Sequence, residues 1–274
     1  MELKQNPFSL YDFLGYFTPG AIFIYSAMAL LAHANVLNGD MIEALSFEKQ
    51  QLYVPFILAA YTTGQLLSFI SSVFIEKYTI WIIGYPSRYL LGFKCNDYFS
   101  TNNLVRLTVG VFLAPISIIE LLFNFLLKYR STYAKALDEL LIEIITGKMK
   151  KLLAEKSGLS SSNPHLANSD YLKNSDFFRF TYHYAVESAP NHYPKMQNYV
   201  AIYGFLRTMT LISVLFFWAA VWHTSTSGLT CYTSILILIA MSLLSFTFYM
   251  AFVKFWRRFT LEAMMAIATT YEIT

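Results

Sequence analysis

Polar and small residues recur at every fourth position in one long apolar stretch of the sequence. Gly64, Ser68, Ser72 and Glu76 follow this spacing, and Gln65 and Ser71 lie beside them. Residues four apart share one face of an α-helix. Hydroxyl, amide and carboxylate groups on such a face can line water between helices, and rings of acidic side chains favour cations. The candidate pore-lining residues are therefore Gln65, Ser68, Ser72 and Glu76. Close packing of helices through small residues explains the same polar stripe without a pore.

A second group of residues combines cations with aromatic rings in the middle of the chain. Lysines cluster between residues 148 and 156, and aromatic residues alternate with cations over 177–184. Bases of single-stranded nucleic acid stack on aromatic faces while Lys and Arg contact the phosphates. The candidate polyanion-binding residues are Lys148, Lys150, Lys151, Lys156, Phe178, Arg179 and Tyr182. The lysines equally fit a topological charge bias or contact with anionic lipid, and the aromatic residues fit the core of a small helical domain.

Signatures of catalysis and of metal binding are missing from the sequence. It contains no HExxH zinc pattern, phosphate-binding glycine loop, GxSxG elbow or CxxC pair. The five histidines show no ligand spacing. His183 and Glu187, four apart on a predicted helix, fit a structural hydrogen bond better than an acid–base pair. We therefore expect a protein that is not an enzyme, with no catalytic residue, metal or cofactor.

Four apolar stretches must position these residues. With 56% hydrophobic and 14% charged residues, the chain is too apolar for a soluble domain, in which about 25% would be charged. Each stretch is near the roughly 20 residues that cross a lipid bilayer. The stretches are 13–36, 52–75, 201–222 and 229–253. We predict an all-α membrane protein with four transmembrane helices, arranged as two hairpins with a helical cytoplasmic insertion between them.

Most of the basic residues lie on one side of this arrangement. Residues 76–200 contain 14 of the 20 Lys and Arg residues, and Lys4, Lys254, Arg257 and Arg258 flank the outermost spans. Cytoplasmic segments carry the excess of Lys and Arg, so the middle segment and both termini are predicted to be cytoplasmic. The predicted regions are an interfacial helix with the first hairpin (1–75), membrane-surface and cytoplasmic helices (76–200), the second hairpin (201–253) and a cytoplasmic C-terminal helix (254–274).

Residues 104–127 leave the number of spans open. This stretch is long enough to cross a bilayer and contains only Arg106 and Glu120 as charges. If it crossed alone, the basic residues after the last span would lie outside, against the charge bias. We predict a largely buried amphipathic helix that bends at Pro115. A model with six spans, which also uses 78–93, is the alternative.

Arg207 is the one strongly basic residue inside a predicted span. It lies six residues past Ala201, which corresponds to a depth of about 9 Å at roughly 1.5 Å per residue. From that depth the guanidinium can reach the cytoplasmic interface or meet an acidic partner. The sequence does not distinguish these two arrangements.

Four segments, taken in order, carry a resemblance that extends over most of the chain. They are YDFLGYFTPG (11–20), GQLLSFISSVFIEK (64–77), IGYPS (83–87) and NYVAIYGFLRT (198–208). Together they resemble a family of bacterial four-helix inner-membrane proteins found among anti-phage defence effectors, the Hailong-type membrane effectors. The resemblance implies a homotetrameric ion channel that a single-stranded DNA oligomer holds closed. It also implies a partner nucleotidyltransferase that makes this oligomer.

Two functional hypotheses follow. The first is an oligomeric channel that depolarises the inner membrane when a cytoplasmic ligand, a single-stranded DNA oligomer or a nucleotide, acts on the middle segment. The second is a non-conducting scaffold or anchor that recruits a cytoplasmic partner through 128–200. The scaffold is favoured by the lack of a strongly polar stripe in the third and fourth spans. In both cases the lipid bilayer is the immediate partner.

Overall fold

Every regular element is helical in the part of the chain that the structure describes. The structure is a computed structural model that describes residues 12–33, 53–93, 103–127, 135–157, 177–226 and 230–271. Two of its elements are π-helical turns, π1 (Phe13–Phe17) and π2 (Ser72–Glu76). The α-helices are α1 (Thr18–His33), α2 (Tyr53–Ser71), α3 (Lys77–Ile82), α4 (Pro86–Tyr89), α5 (Asn103–Phe112), α6 (Ala114–Leu127), α7 (Glu139–Ser157), α8 (Phe177–Ser188), α9 (Tyr193–Thr226) and α10 (Cys231–Thr270).

Four helical segments among the described residues are long and apolar enough to cross a membrane. They are Phe13–Ala32, Tyr53–Tyr89, Tyr193–Thr226 and Cys231–Thr270. This confirms the prediction of an all-helical, multi-pass membrane protein with four membrane-length segments. The last two contain 34 and 40 residues, more than the roughly 20 that span the hydrocarbon core. Helix α10 therefore includes both the predicted fourth span and most of the predicted C-terminal helix.

The stretch 104–127 differs from its prediction. It forms two helices, α5 and α6, which meet at 92° on either side of Leu113. Pro115 lies in the first turn of α6, where a missing N–H leaves no helical bond unmade. The expected burial is wrong, since Leu107, Leu121 and Phe125 are 66%, 67% and 86% exposed. Apolar side chains of a membrane protein can face lipid, so their hydrophobicity does not require a protein core.

Helix α2 touches α1 and the preceding turn π1 through two glycines. A Cβ added at Gly20 would overlap the backbone oxygen of Ala60, and a Cβ added at Gly64 would overlap that of Tyr16. Small residues allow this approach in lipid, where dispersion contacts rather than apolar burial hold helices together. The contact agrees with the helix-packing interpretation of Gly64. It also assigns a role to Gly20, which lies in the first turn of α1.

The chain divides into two compact units. Unit 1 comprises Met1–Tyr78, Thr101–Leu126 and Ala201–Phe252, and unit 2 comprises Thr79–Ser100, Leu127–Val200 and Val253–Thr274. Unit 2 thus combines most of the predicted middle segment with the end of α10. The fully buried side chains of unit 1 include Ile75, Leu113, Ile116, Leu211, Tyr249 and Phe252. Those of unit 2 include Leu90, Ile145, Met149, Leu152, Met196 and Met264.

Candidate functional site

Arg207 of α9 contacts the end of α2 and π2 within unit 1. Its Nη1 donates to Oε2 of Glu76 in an ion pair. Its Nε donates to Oγ of Ser71 at 3.2 Å, and its Nη2 lies 3.4 Å from both Oγ and the carbonyl oxygen of Ser68. All three guanidinium nitrogens therefore face polar atoms. We call Ser68, Ser71, Glu76 and Arg207 the Arg207 cluster.

Burial makes the pairing in the Arg207 cluster important. The side chains of Arg207 and Glu76 are 13% and 29% exposed, and Ser71 is fully buried. A lone charge near the centre of a membrane helix costs about 2.5–3.5 kcal/mol on insertion scales, and buried charges persist where they are paired and hydrogen-bonded. Of the two arrangements open to Arg207, the structure contains the acidic partner, and this partner is Glu76.

The π-helical turn explains which serine joins the cluster. In an α-helix, Ser72 would share a face with Glu76, as the spacing of the polar stripe indicates. In π2 the backbone bonds run from residue i to i+5, which aligns Glu76 with Ser71 instead. Ser71 accordingly bonds to Arg207, whereas Ser72 is partly exposed and donates to the carbonyl oxygen of Phe69 at 2.7 Å. The sequence places Ser71 beside the polar stripe, but periodicity selects Ser72 as the neighbour of Glu76 because it assumes an unbroken α-helix.

Two of the four candidate pore-lining residues lie in the Arg207 cluster and two lie outside it. Ser68 and Glu76 both contact Arg207. Gln65 instead donates to the hydroxyl of Tyr61 at 3.2 Å, one turn earlier on α2. Ser72 is bonded within its own helix. Two residues of the polar stripe thus bond to Arg207 on α9, and the other two bond to residues less than two turns away in their own segment. The lining of a pore stays a prediction.

Lys148 has a structural partner in unit 2. Its Nζ donates to the carbonyl oxygens of Ala268 and Tyr271, at 2.8 and 2.7 Å. These carbonyls belong to the end of α10, where the last turn lacks helical donors and the helix dipole favours a cation. Lys148 therefore caps α10. The other candidate lysines also lie on α7. Lys150 is partly exposed and Lys151 is exposed, while Lys156 lies in the last turn of the helix.

The aromatic candidates of α8 pack against α10. The rings of Phe178 and Tyr182 lie 6.0 and 5.8 Å from the ring of Phe259. Burial, and to a smaller extent the neighbouring phenol of Tyr193, raises the pKa of Tyr182 above its usual range. Arg179, between the two aromatic residues, is exposed. These contacts agree with the small-domain interpretation of the aromatic residues.

Unit 2 contains a polar cluster that the sequence does not reveal. Nδ1 of His192 lies 2.8 Å from Oε1 of Glu262, and Nε2 lies 3.2 Å from Oγ1 of Thr269. Nζ of Lys195 is 3.7 Å from the same Glu262 oxygen. A carboxylate, an imidazole and a hydroxyl in this order can relay a proton. However, Thr269 donates its proton to the carbonyl oxygen of Met265 at 2.8 Å, so the cluster joins α9 to α10 without an activated nucleophile.

The sequence suggests a hydrogen bond between His183 and Glu187, whereas the structure places His192 beside the carboxylate of Glu262. His183 is exposed and stacks edge-on against Tyr182 at 5.6 Å. His192 and Glu262 are 70 residues apart, and no spacing rule relates positions on separate helices.

Neither a metal site nor a similarity to known proteins assigns a function to these residues. Within the described ranges, no three His, Cys, Asp or Glu side chains are placed to hold a metal ion. Comparisons with protein-family models, with curated proteins and with solved structures find no match to this chain.

Proposed function

We propose that the chain forms an oligomeric ion channel in the bacterial inner membrane, and that this channel depolarises the membrane in anti-phage defence. The Arg207 cluster carries the proposal. Ionisable side chains inside membrane helices almost always face a bundle interior or a water-filled cavity, and they mark ion pathways. Arg207 and Glu76 both lie in membrane-length helical segments. The π-helical turn that holds Glu76 is a feature frequently found at functional sites.

The proposed topology has two hairpins, 13–36 with 52–75 and 201–222 with 229–253, and a cytoplasmic insertion between them. Both termini lie in the cytoplasm. The distribution of Lys and Arg supports this orientation, and the backbone contact of α1 with α2 supports the first hairpin. Cys231 is exposed at the start of α10 and tests the orientation.

A membrane-impermeant maleimide measures that orientation in a Cys95→Ser background. On intact spheroplasts it should label Cys231 from outside. A Cys231→Ser, Lys151→Cys variant should be labelled only after the membrane is permeabilised. The opposite pattern would overturn the topology and the cytoplasmic ligand together.

Gating is proposed as a population shift. A polyanion, either a single-stranded DNA oligomer or a nucleotide made by a partner nucleotidyltransferase, binds the closed oligomer more tightly and keeps it closed. Its loss opens the channel. The resemblance supports this ligand and a tetrameric assembly, and the exposed side chain of Lys151 with neighbouring Lys150 supports a cationic surface.

Reconstitution into planar bilayers tests conduction. Purified protein should produce discrete current steps, and Glu76→Gln should lower the cation-to-anion permeability ratio because the positive charge of Arg207 would no longer be balanced. Glu187→Gln, which removes an exposed carboxylate of α8 outside the membrane-length segments, is the matched control. Persistent silence, with every ligand present and with every ligand removed, would refute the channel.

A non-conducting scaffold that recruits a cytoplasmic partner through 128–200 is the second candidate. One observation favours it: the polar groups of the stripe bond within a single chain, Gln65 to Tyr61, Ser72 to Phe69 and Glu76 to Arg207. The oligomeric state in detergent distinguishes the candidates, since one chain with one narrow stripe cannot enclose a water-filled path. A monomer by native mass spectrometry would favour the scaffold.

A further inference from the structure

A groove lies between α5 and α9 on unit 1. It has a volume of about 430 Å³. Its lining residues are Leu107, Thr108, Val111, Phe112, Leu215 and Trp218. Leu107 and Val111 are 66% and 54% exposed, so the groove opens to the surroundings along α5. Its volume is within the range of about 300–1,000 Å³ that small-molecule sites have.

The break between α5 and α6 accompanies this groove. After the 92° bend, α6 follows a different direction from α5 and packs on α10, where the rings of Phe123 and Phe246 lie 5.1 Å apart. Helix α5 instead contacts α9. Helices that diverge in this way cannot both pack along their whole length against the same neighbours, and the groove is the space beside α5.

Trp218 stabilises the break. The amide of Ile116 bonds to the carbonyl oxygen of Leu113, so the carbonyl of Phe112 lacks its usual helical donor at i+4. The indole Nε1 of Trp218 donates to this carbonyl at 2.8 Å. Broken helices are tolerated at membrane depth where neighbouring groups satisfy the freed backbone atoms. The break and one wall of the groove therefore depend on the same side chain.

The polar atoms beside the groove are occupied. The indole N–H of Trp218 is donated to Phe112, and the hydroxyl of Thr108 lies 3.0 and 3.1 Å from the carbonyl oxygens of Leu104 and Val105. The groove consequently presents hydrocarbon and ring faces to its occupant. A water molecule there would lack the two to four polar partners that it needs, and an empty groove would forfeit dispersion contacts.

We propose that this groove binds one acyl chain of a phospholipid from the surrounding bilayer. A long, flexible hydrocarbon chain matches the lining, and lipid reaches the opening along α5 because α9 is a membrane-length helix. The bound lipid supports the broken helix and exchanges more slowly than lipid against the outer faces of α5 and α9. This inference requires insertion into a membrane and is independent of ion conduction.

Tryptophan quenching by phospholipids with brominated acyl chains tests the site. Replacing Trp81, Trp222 and Trp256 by Phe leaves Trp218, which lines the groove, as the only tryptophan of the chain. Replacing Trp81, Trp218 and Trp256 leaves Trp222, which is 75% exposed four residues later on the same helix. Trp218 should be quenched by a slowly exchanging lipid, and Trp222 by rapidly exchanging lipid. Equal exchange at both positions would overturn the proposal.

Filling the groove provides the matched pair of variants. Val111→Phe places a ring in the groove and should lower the quenching of Trp218 about twofold or more, because the added volume displaces the lipid chain. Val105→Phe, on the exposed side of α5 and outside the lining, should leave it unchanged. Unchanged quenching in Val111→Phe contradicts a site in this groove.

Photocrosslinking repeats the test on the wild-type sequence, so it does not depend on the folding of any variant. A phospholipid with a diazirine in its acyl chain should label peptides from α5 and α9 in the membrane-reconstituted protein. Labelling should be at least about twofold above that of the more apolar α6, as expected for a concave site compared with an open face. Uniform labelling of α5, α6 and α9 indicates ordinary contact with bilayer lipid and refutes the site.

Discussion

Arg207 and Glu76 are 131 residues apart in sequence and form an ion pair between α9 and π2. Ser71, fully buried at the end of α2, accepts a further bond from the same guanidinium. A membrane-length helix thus carries a cation whose charge is balanced by a neighbouring helix. Replacing either side chain should therefore lower the stability of the protein and change the position of the other side chain.

The first prediction concerns this ion pair. Arg207→Gln should destabilise the protein by about 1–3 kcal/mol, below the 3–5 kcal/mol of a fully buried pair because Glu76 is partly exposed. Adding Glu76→Gln should recover part of the loss, since no unpaired carboxylate then remains. Denaturant unfolding in mixed micelles measures both values, with Lys254→Gln, an exposed cation, as the control. Strictly additive losses would show that the two side chains do not interact.

The second prediction compares glycines. Gly20→Ala and Gly64→Ala should each lower the stability of the protein by at least about 1–3 kcal/mol, the usual cost of overpacking. The new methyl group would overlap backbone atoms of the facing helical segment. Gly204→Ala is the matched helical control, since a Cβ there meets nothing within 4 Å. It should be neutral or stabilise α9 by about 0.5–1 kcal/mol. Equal effects at all three positions would argue against the α1–α2 contact.

The third prediction concerns the cap of α10. Lys148→Met removes two hydrogen bonds and a cation from the end of the helix, and it should lower stability by about 1–3 kcal/mol. Lys151→Met, at an exposed position on α7, should change stability by less than about 0.5 kcal/mol. Hydrogen exchange should show faster exchange at the end of α10 only in the Lys148 variant. If the amides at the end of α10 exchange as slowly in the Lys148 variant as in the wild type, Lys148 does not cap this helix.

The fourth prediction concerns polyanion binding. Because Lys148 is engaged in the cap, the test uses its neighbours Lys150 and Lys151. Changing both to Glu should weaken binding of a single-stranded oligonucleotide and flatten its dependence on salt, since fewer counterions are released. Lys135→Glu combined with Lys254→Glu, which changes two other exposed lysines of unit 2, serves as the charge-matched control. Wild-type affinity in the double variant would place a polyanion site elsewhere.

The fifth prediction concerns alkaline pH. Burial, with a hydrogen bond to Glu155, raises the pKa of Tyr271 to about 12. Because the folded pKa exceeds the unfolded value of about 10, this phenol contributes stability that is complete below pH 10 and declines as the pH rises towards 12. Tyr271→Phe should flatten that decline and retain the ring beside Tyr184. A free energy of unfolding that falls equally in both proteins above pH 10 would exclude this contribution.

The helical class, the four membrane-length segments and the polar stripe could all be predicted from the sequence. Hydrophobicity over about 20 residues and periodicity along one helix are local properties, and the physics of a bilayer turns them directly into structure. Ser68 and Glu76 were found in this way, as was the need of Arg207 for the interface or an acidic partner. The same reasoning could not tell whether the apolar faces of 104–127 meet protein or lipid.

Contacts between helices were decided only by the tertiary structure. It pairs Arg207 with Glu76, Lys148 with the end of α10, His192 with Glu262, and Trp218 with the broken helix at Phe112. A helical period describes the face of one helix and contains no information about which faces meet. The period also fails locally at π2, which shifts the register by one residue. An α-helical period places Ser72 next to Glu76, whereas in the structure Ser71 bonds to Arg207.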